Sequence, residues 1–369
     1  MRKCLLALTT MLLTSPALAD APPPPWHGVW RGTVGTLPVM ACLAQQSDSW
    51  SMGSYYYLSK MKPIGLEHEK DGSWTEHAEG GDKPTGKLTL SPASVGSLSG
   101  EWRSGARMLP VALTRVAVAP SDDGLCASNA YIAPRIRPVR LVTKPASASG
   151  FAYSQVTYDV GPSFPDVSIE SFSYPPTMPG DRAINAAIRL DPARHGDLAD
   201  YLDCMQNSLG SFGTDGDFQF TWSPGLATRQ FLSVNVNANG SCGGAHPFVS
   251  HGHITFDRLS GRKINLSAWF SPAGIVPASS DDGGDEHQIT PGLRRLVVSR
   301  FRFSETECRE VVSTADYWDI GIGQHGIMFD PSLPHVAEAC GDSVVVPFAA
   351  LDKFLSPAGK QAIARLAGR

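Results

Sequence analysis

The chain has 369 residues, with 31 Lys and Arg against 35 Asp and Glu, a formal net charge of −4, 42% hydrophobic and 18% charged residues. That balance excludes a basic field for nucleic acid or anionic lipid. The length suits two domains, each burying its own core, and 36 glycines with 29 prolines favour many turns and a strand-rich architecture.

Residues 1–19 read as a secretory signal peptide. Arg2 and Lys3 give a positive start, residues 5–13 an apolar core, and Ala17-Leu18-Ala19 a small-residue cleavage site before Asp20. Cys4 stands at the wrong end of the apolar core for a lipoprotein anchor. No later segment is apolar over the roughly 18 residues that a bilayer span needs. The expectation is a periplasmic or secreted protein without a membrane span, cleaved after Ala19.

Beyond a proline spacer at 22–25, short alternating runs follow one another at 30–34, 39–43, 55–58, 64–66, 74–76, 86–90, 98–102 and 109–113. Their spacing of roughly ten residues predicts an antiparallel barrel or sandwich over 26–143. Residues 144–150, rich in Ala, Ser and Gly, read as a linker. A second domain over 151–369 then mixes strands (167–174, 218–222, 231–236, 252–256, 326–329, 344–346) with helices. One helical stretch opens at Pro179-Gly180-Asp181, with Ile184, Ala187, Ile188 and later Leu198, Tyr201, Leu202 and Met205 at helical spacing; another helix begins at Pro291, and one spans 351–366. The fold class is α+β, an all-β domain followed by an antiparallel sheet with packed helices.

Removing Cys4 with the signal leaves Cys42, Cys126, Cys204, Cys242, Cys308 and Cys340. An even count in an exported chain favours disulfides, and six cysteines allow fifteen pairings. Cys42–Cys126, Cys204–Cys242 and Cys308–Cys340 keep each pair inside one folding unit.

Several groups bear chemistry. His251 and His253 point to one side of a strand, with His246 across a turn, so three imidazoles could converge on zinc; the alternative is a turn cap and a solvated face. Gly240-Ser241-Cys242-Gly243-Gly244 mimics a nucleophile elbow with His246 as base, but an elbow needs a following helix and a free thiol. The acidic run at 281–286 suits calcium oxygens, yet its spacing departs from the EF-hand loop. Tyr55 to Tyr57 with Trp30, Trp74 and Trp102 could stack on sugar, although alternation puts Tyr55 and Tyr57 on one face and Tyr56 on the other, and large aromatics usually make cores.

The second half resembles the domain of unknown function at the extracellular end of RsiV-type anti-sigma factors, also found beside the catalytic unit of PdaC-type peptidoglycan deacetylases. The residues carrying the resemblance are Gly243-Gly244-Ala245-His246, Thr255-Phe256-Asp257, Ser260-Gly261-Arg262-Lys263, Ile264-Asn265-Leu266 with Phe270, then Gly326-Ile327-Met328-Phe329 and Val346-Pro347-Phe348 with Leu351. The membrane span and sigma-binding segment of the former, and the deacetylase unit of the latter, have no match here, so those activities are not carried over. What the resemblance implies is a binding role, since RsiV-type ectodomains bind lysozyme. The first half looks like a small all-β module of bacterial exported proteins.

The expected function is a non-catalytic envelope protein binding a lysozyme-like protein or a peptidoglycan fragment, with no cofactor and no nucleic acid. The alternatives are an envelope hydrolase or zinc-dependent enzyme using His246, His251 and His253, and a structural scaffold. A pocket lined by His246, His251, His253 and an acid would favour the enzyme; an exposed groove or loop with apolar anchors near 281–290 or 318–326 would favour binding.

Overall fold

The computed structural model describes residues 22–47, 50–77, 83–119, 124–190, 199–276, 287–303 and 305–367. The signal-like segment, Leu198 and the acidic run at 281–286 lie outside them.

Eight strands form a closed antiparallel barrel: β1 (Gly28–Val34), β2 (Leu37–Gln45), β3 (Ser51–Tyr57), β4 (Ile64–His68), β5 (Trp74–His77), β6 (Pro84–Ser94), β7 (Ser97–Ser104) and β8 (Arg107–Val116). Each matches one of the eight runs expected from alternation, the run at 55–58 ending one residue past β3. Closure comes from β1 pairing with β8, Val29 opposite Val116 through Val34 opposite Val111. Side chains on a strand alternate between faces. Trp30, Ala41, Leu43, Tyr55, Trp74, Leu88 and Trp102 fill one cluster. Val29, Met40, Cys42, Ala44 and Tyr56 are buried in another, with Tyr131, Ile132, Phe164, Met205 and Leu209. Tyr55 and Tyr56 thus part as alternation requires, and these rings are core rather than a sugar platform.

The linker at 144–150 is corrected by the structure. Those residues belong to a hairpin of β9 (Arg140–Ala148) and β10 (Phe151–Asp159), turning at Ser149 and Gly150. Small residues there serve a tight turn, which local composition does not distinguish from a linker. The chain leaves the barrel after β8. It reaches β9 through a short helix α1 (Asn129–Ile132), so β9 lies in the second sheet although its residues divide between the end of the first expected domain and the expected linker.

The second part is a mixed sheet with packed helices, in the order β14-β13-β12-β11-β10-β9. Its further members are β11 (Val167–Ser173), β12 (Asp217–Ala227), β13 (Phe231–Ser241) and β14 (Phe248–Asp257). The sheet was expected to be antiparallel, but β11 and β12 run parallel. Two helices, α2 (Asp181–Ala187) and α3 (Ala199–Phe212), lie between them in the chain, and a parallel pair needs such a crossover. Asp181 at the start of α2 is fully buried and receives two hydrogen bonds from Arg258, from Nε at 2.8 Å and Nη2 at 2.7 Å.

A second, four-stranded sheet has the order β15 (His287–Gln288), β16 (Tyr317–Ile322), β17 (Gly326–Pro331), β18 (Val344–Pro347). Around it pack α4 (Pro291–Val298), α5 (Thr306–Thr314), α6 (Phe348–Leu351) and α7 (Pro357–Ala367) over Trp269, Leu293, Val297, Trp318, Ile322 and Phe329. The terminal helix expected over 351–366 is broken. Pro357 donates no N–H and biases the residue before it away from helical geometry, so α7 starts afresh there. No helix among the described residues is long and apolar enough to cross a membrane.

The disulfides are Cys42–Cys126, Cys204–Cys242 and Cys308–Cys340. They join β2 to the approach to α1, α3 to the end of β13, and α5 to the 3-10 turn His335–Cys340.

Candidate functional site

The site lies where the edge of the six-stranded sheet meets β16 and β17. Asn235 and Asn237 on β13 stand opposite His253 and His251 on β14, and such cross-strand partners share a face. The rings meet the amides: His253 Nδ1 is 3.1 Å from Asn235 Oδ1, and His251 Nδ1 is 2.8 Å from Asn237 Oδ1. Val234, out of phase with them, is buried with Ile184 of α2 and with Ile188, which follows that helix.

Because β14 is an edge strand, alternate backbone N–H groups point away from β13 and need partners. Carboxylates supply two. Asp319 Oδ2 accepts from His253 N–H at 2.9 Å, and Glu338 Oε2 accepts from Val249 N–H at 2.8 Å. His251 lies midway, so strand periodicity turns its N–H the same way.

Asp319 on β16 is the register partner of Asp330 on β17. Asp330 is 4% exposed. Its Oδ1 accepts from the Ser343 hydroxyl, and its Oδ2 is 2.5 Å from His253 Nε2. The His253 ring is therefore within ion-pair distance of the Asp330 carboxylate. Burial, with the Asp330 charge adding to it, pushes the Asp319 carboxyl up to about 6 despite the opposing His253 and Ile320 N–H groups. Gly321 makes the junction possible: a Cβ there would lie 2.4 Å from His253 Cγ.

Two cavities flank Asp319. One, of about 220 Å³, is lined by His251, Asp319, Asp330, Ser332, Leu333 and Glu338, among others. The other, of about 210 Å³, includes His253, Thr255, Lys263, Asn265, His287 and Asp319 in its wall.

The three histidines singled out by spacing occupy three environments. His246 is exposed in the turn between β13 and β14, His251 is exposed beside Asn237, and the side chain of His253 is 7% exposed and faces Asp330. Among the described residues no group of three or more His, Cys, Asp or Glu is arranged to hold a metal ion. The convergent zinc triad is therefore corrected: His251 and His253 do share a face, but a strand separates such neighbours by roughly 7 Å, and each takes a different partner. Cys242 is bonded to Cys204 and is followed by β14 rather than a helix, so the elbow mimic is a structural turn. Gly243 there has φ +85°, a conformation for which glycine is suited.

Sequence reasoning missed Asp319, Asp330 and Glu338. The available signal was an aspartate inside an apolar strand run, as in Tyr317-Trp318-Asp319-Ile320 and Met328-Phe329-Asp330, since carboxylates are rarely buried without a partner.

No family model matches the chain, and no curated protein matches it. Among solved structures, a member of the DUF3298 family from Bacteroides fragilis aligns over 63% of this chain and 98% of its own, with 14% identity and a TM-score of 0.38. A DUF3298 family protein from Pseudomonas aeruginosa aligns over 60% of this chain and 94% of its own, with 11% identity and a TM-score of 0.34. Similarity of this grade carries no inference about function.

Proposed function

We propose that the protein is a non-catalytic binding protein of the cell envelope, exported by its first 19 residues, whose partner is a lysozyme-like protein or a peptidoglycan fragment. The observation that carries this reading is the cleft at β14, β16 and β17, walled by Asp319, Asp330 and Glu338. Of the 318–326 region, where a groove with apolar anchors was expected, the cleft takes in Asp319. A carboxylate-lined cleft on a chain of net charge −4 complements a basic protein.

Catalysis is less well supported by the same geometry. A histidine acting as general base must present a free nitrogen to the nucleophile it activates. Both nitrogens of His253 are already placed, one against Asn235 and one against Asp330. The six cysteines of the expected mature chain are all in disulfides and cannot attack.

The test is retention of the purified chain on immobilised lysozymes and on peptidoglycan fragments. Retention on at least one, weakened by raised salt if the partner is a basic protein, is the expected result. Retention on neither, at low salt and neutral pH, refutes the named partners. Turnover of peptidoglycan by the purified chain would refute the non-catalytic reading.

A further inference from the structure

We infer that the cavity of about 210 Å³ between β14, β16 and residues 263–266 receives the acetamido group of an N-acetylated amino sugar. The inference rests on the binding reading above and names the part of a peptidoglycan fragment that is held.

Thr255 on β14 lines this cavity, is 2% exposed, and its Oγ1 has no hydrogen-bond partner. Buried hydroxyls are ordinarily satisfied, because an unpaired one has given up its hydration for nothing. The ladder does not satisfy this one. Its register partner Ser233 is fully buried, and that hydroxyl is unpaired too. The Thr255 carbonyl accepts from Ile264 N–H at 2.7 Å, so the backbone there is held and the side chain is left over.

The rest of the wall selects the partner. Asn265 Oδ1 accepts from the Ser267 N–H and hydroxyl, so its amide presents NH2 as a donor. Asp319, at about 6, is ionised at pH 7. It accepts from the His253 and Ile320 N–H groups, and a carboxylate has about four acceptor positions, so it can accept further. Ile264, Leu266 and Ile320 add apolar surface. Lys263 and His287 also line the cavity, but each has a partner of its own, and the selection falls to the others.

An acetamido group carries the complement of all three features. Its carbonyl suits the Thr255 and Asn265 donors, its N–H suits Asp319, and its methyl suits the apolar wall. A carboxylate ligand would face Asp319, and a bare ammonium would leave the Asn265 donor unmatched. The volume is below the roughly 300–1,000 Å³ that encloses a drug-sized ligand, so the cavity takes a substituent rather than a whole molecule. An acetyl group enters by its methyl end, whereas a peptide bond within a chain needs room on both sides.

The experiment is calorimetric titration of the purified chain at pH 7 with methyl N-acetyl-β-glucosaminide. Saturable binding with a Kd on the order of 1 mM is expected. Methyl β-glucoside, which lacks the acetamido group, should bind at least about tenfold more weakly. N-acetyl-alanine methylamide should also bind more weakly, since it brings no ring hydroxyls to the exposed Asn265 amide. Thr255→Val removes the hydroxyl at nearly constant shape, and Asn265→Asp keeps the acceptor for Ser267 while removing the donor. Each should weaken the glycoside by about fivefold, the worth of one hydrogen bond. The urea midpoint of Thr255→Val should not fall, because the hydroxyl bonds to nothing in the free chain.

No saturable binding, equal binding of the glucoside, tighter binding of the peptide, or unchanged affinity in both variants would overturn the inference. A lowered midpoint in Thr255→Val would overturn it too, by showing the hydroxyl already satisfied. The two proposals fail separately. Glycoside binding without retention on peptidoglycan or lysozyme keeps the cavity's chemistry and removes the named partners. Lysozyme retention that persists in both variants, without glycoside binding, keeps the partner and removes the site.

Discussion

At the residue scale, Asp319 is the most informative group. Its folded pKa of about 6 lies above the ordinary 3.8, so folding favours its protonated form. The associated stability is fully present below 3.8 and is lost as pH rises through about 6. The shift corresponds to about 3 kcal/mol at most, less whatever solvent relieves at this partly accessible group. Asp319→Asn should therefore flatten the stability profile between pH 4 and pH 6, as measured by urea unfolding at several pH values. A variant with the slope of the parent over that window would show that another group titrates. Asp181 behaves in the opposite sense. Burial alone would raise its carboxyl, but hydrogen bonds from Arg258 and from the Thr177 and Met178 N–H groups hold it at about 2. Its contribution is present above 3.8 and lost as pH falls through about 2.

At the element scale, the junction of β14 with β16 depends on a missing side chain. Gly321 lies against the His253 ring, and neither a strand backbone nor a ring anchored by Asn235 and Asp330 can move aside freely. Gly321→Ala should cost about 1–3 kcal/mol, as overpacking does. It should also weaken the acceptance of His253 N–H by Asp319. Hydrogen exchange at the His253 amide would report this directly; unchanged protection would mean that β16 accommodates the methyl group. The strands themselves were legible in the sequence because alternation is a local property. Seven of the eight barrel runs fall inside strands and the eighth, 55–58, overruns β3 by one residue, whereas β9, β10, β15 and β16 escaped notice. The run of β16 does alternate, with Trp318, Ile320 and Ile322 in one core and Asp319 and Gly321 on the face that meets His253.

At the scale of the whole molecule, the barrel and the second sheet share a core. Fully buried Arg135 binds across that boundary. Its Nε donates to Met61 O at 2.8 Å, Nη2 donates to Ser163 O at 2.8 Å, and Nη1 donates to Asp215 Oδ1 at 2.8 Å, while the guanidinium stacks 4.6 Å from the Phe164 ring. Breaking a buried pair leaves one charge uncompensated and typically costs about 3–5 kcal/mol. Arg135→Met should show that loss in chemical denaturation, with Asp215→Asn in the same chain recovering part of it. Two separate unfolding transitions in the unaltered chain would show that barrel and sheets are independent despite this contact.

The sequence by itself determined the positions of most strands and helices and the alternation that sends Tyr55 and Tyr56 to different cores, and of fifteen possible cysteine pairings the structure selects the one that keeps each pair inside a folding unit. These follow from short-range rules of side-chain periodicity, turn chemistry and chain proximity. The tertiary structure alone decided that 144–150 is a hairpin rather than a linker, that β11 and β12 run parallel, and that His253 meets Asp330 instead of His246. Those outcomes depend on which strand lies beside which. Residues 66 and 77 positions beyond His253 complete its surroundings, and no local pattern encodes partners so far along the chain.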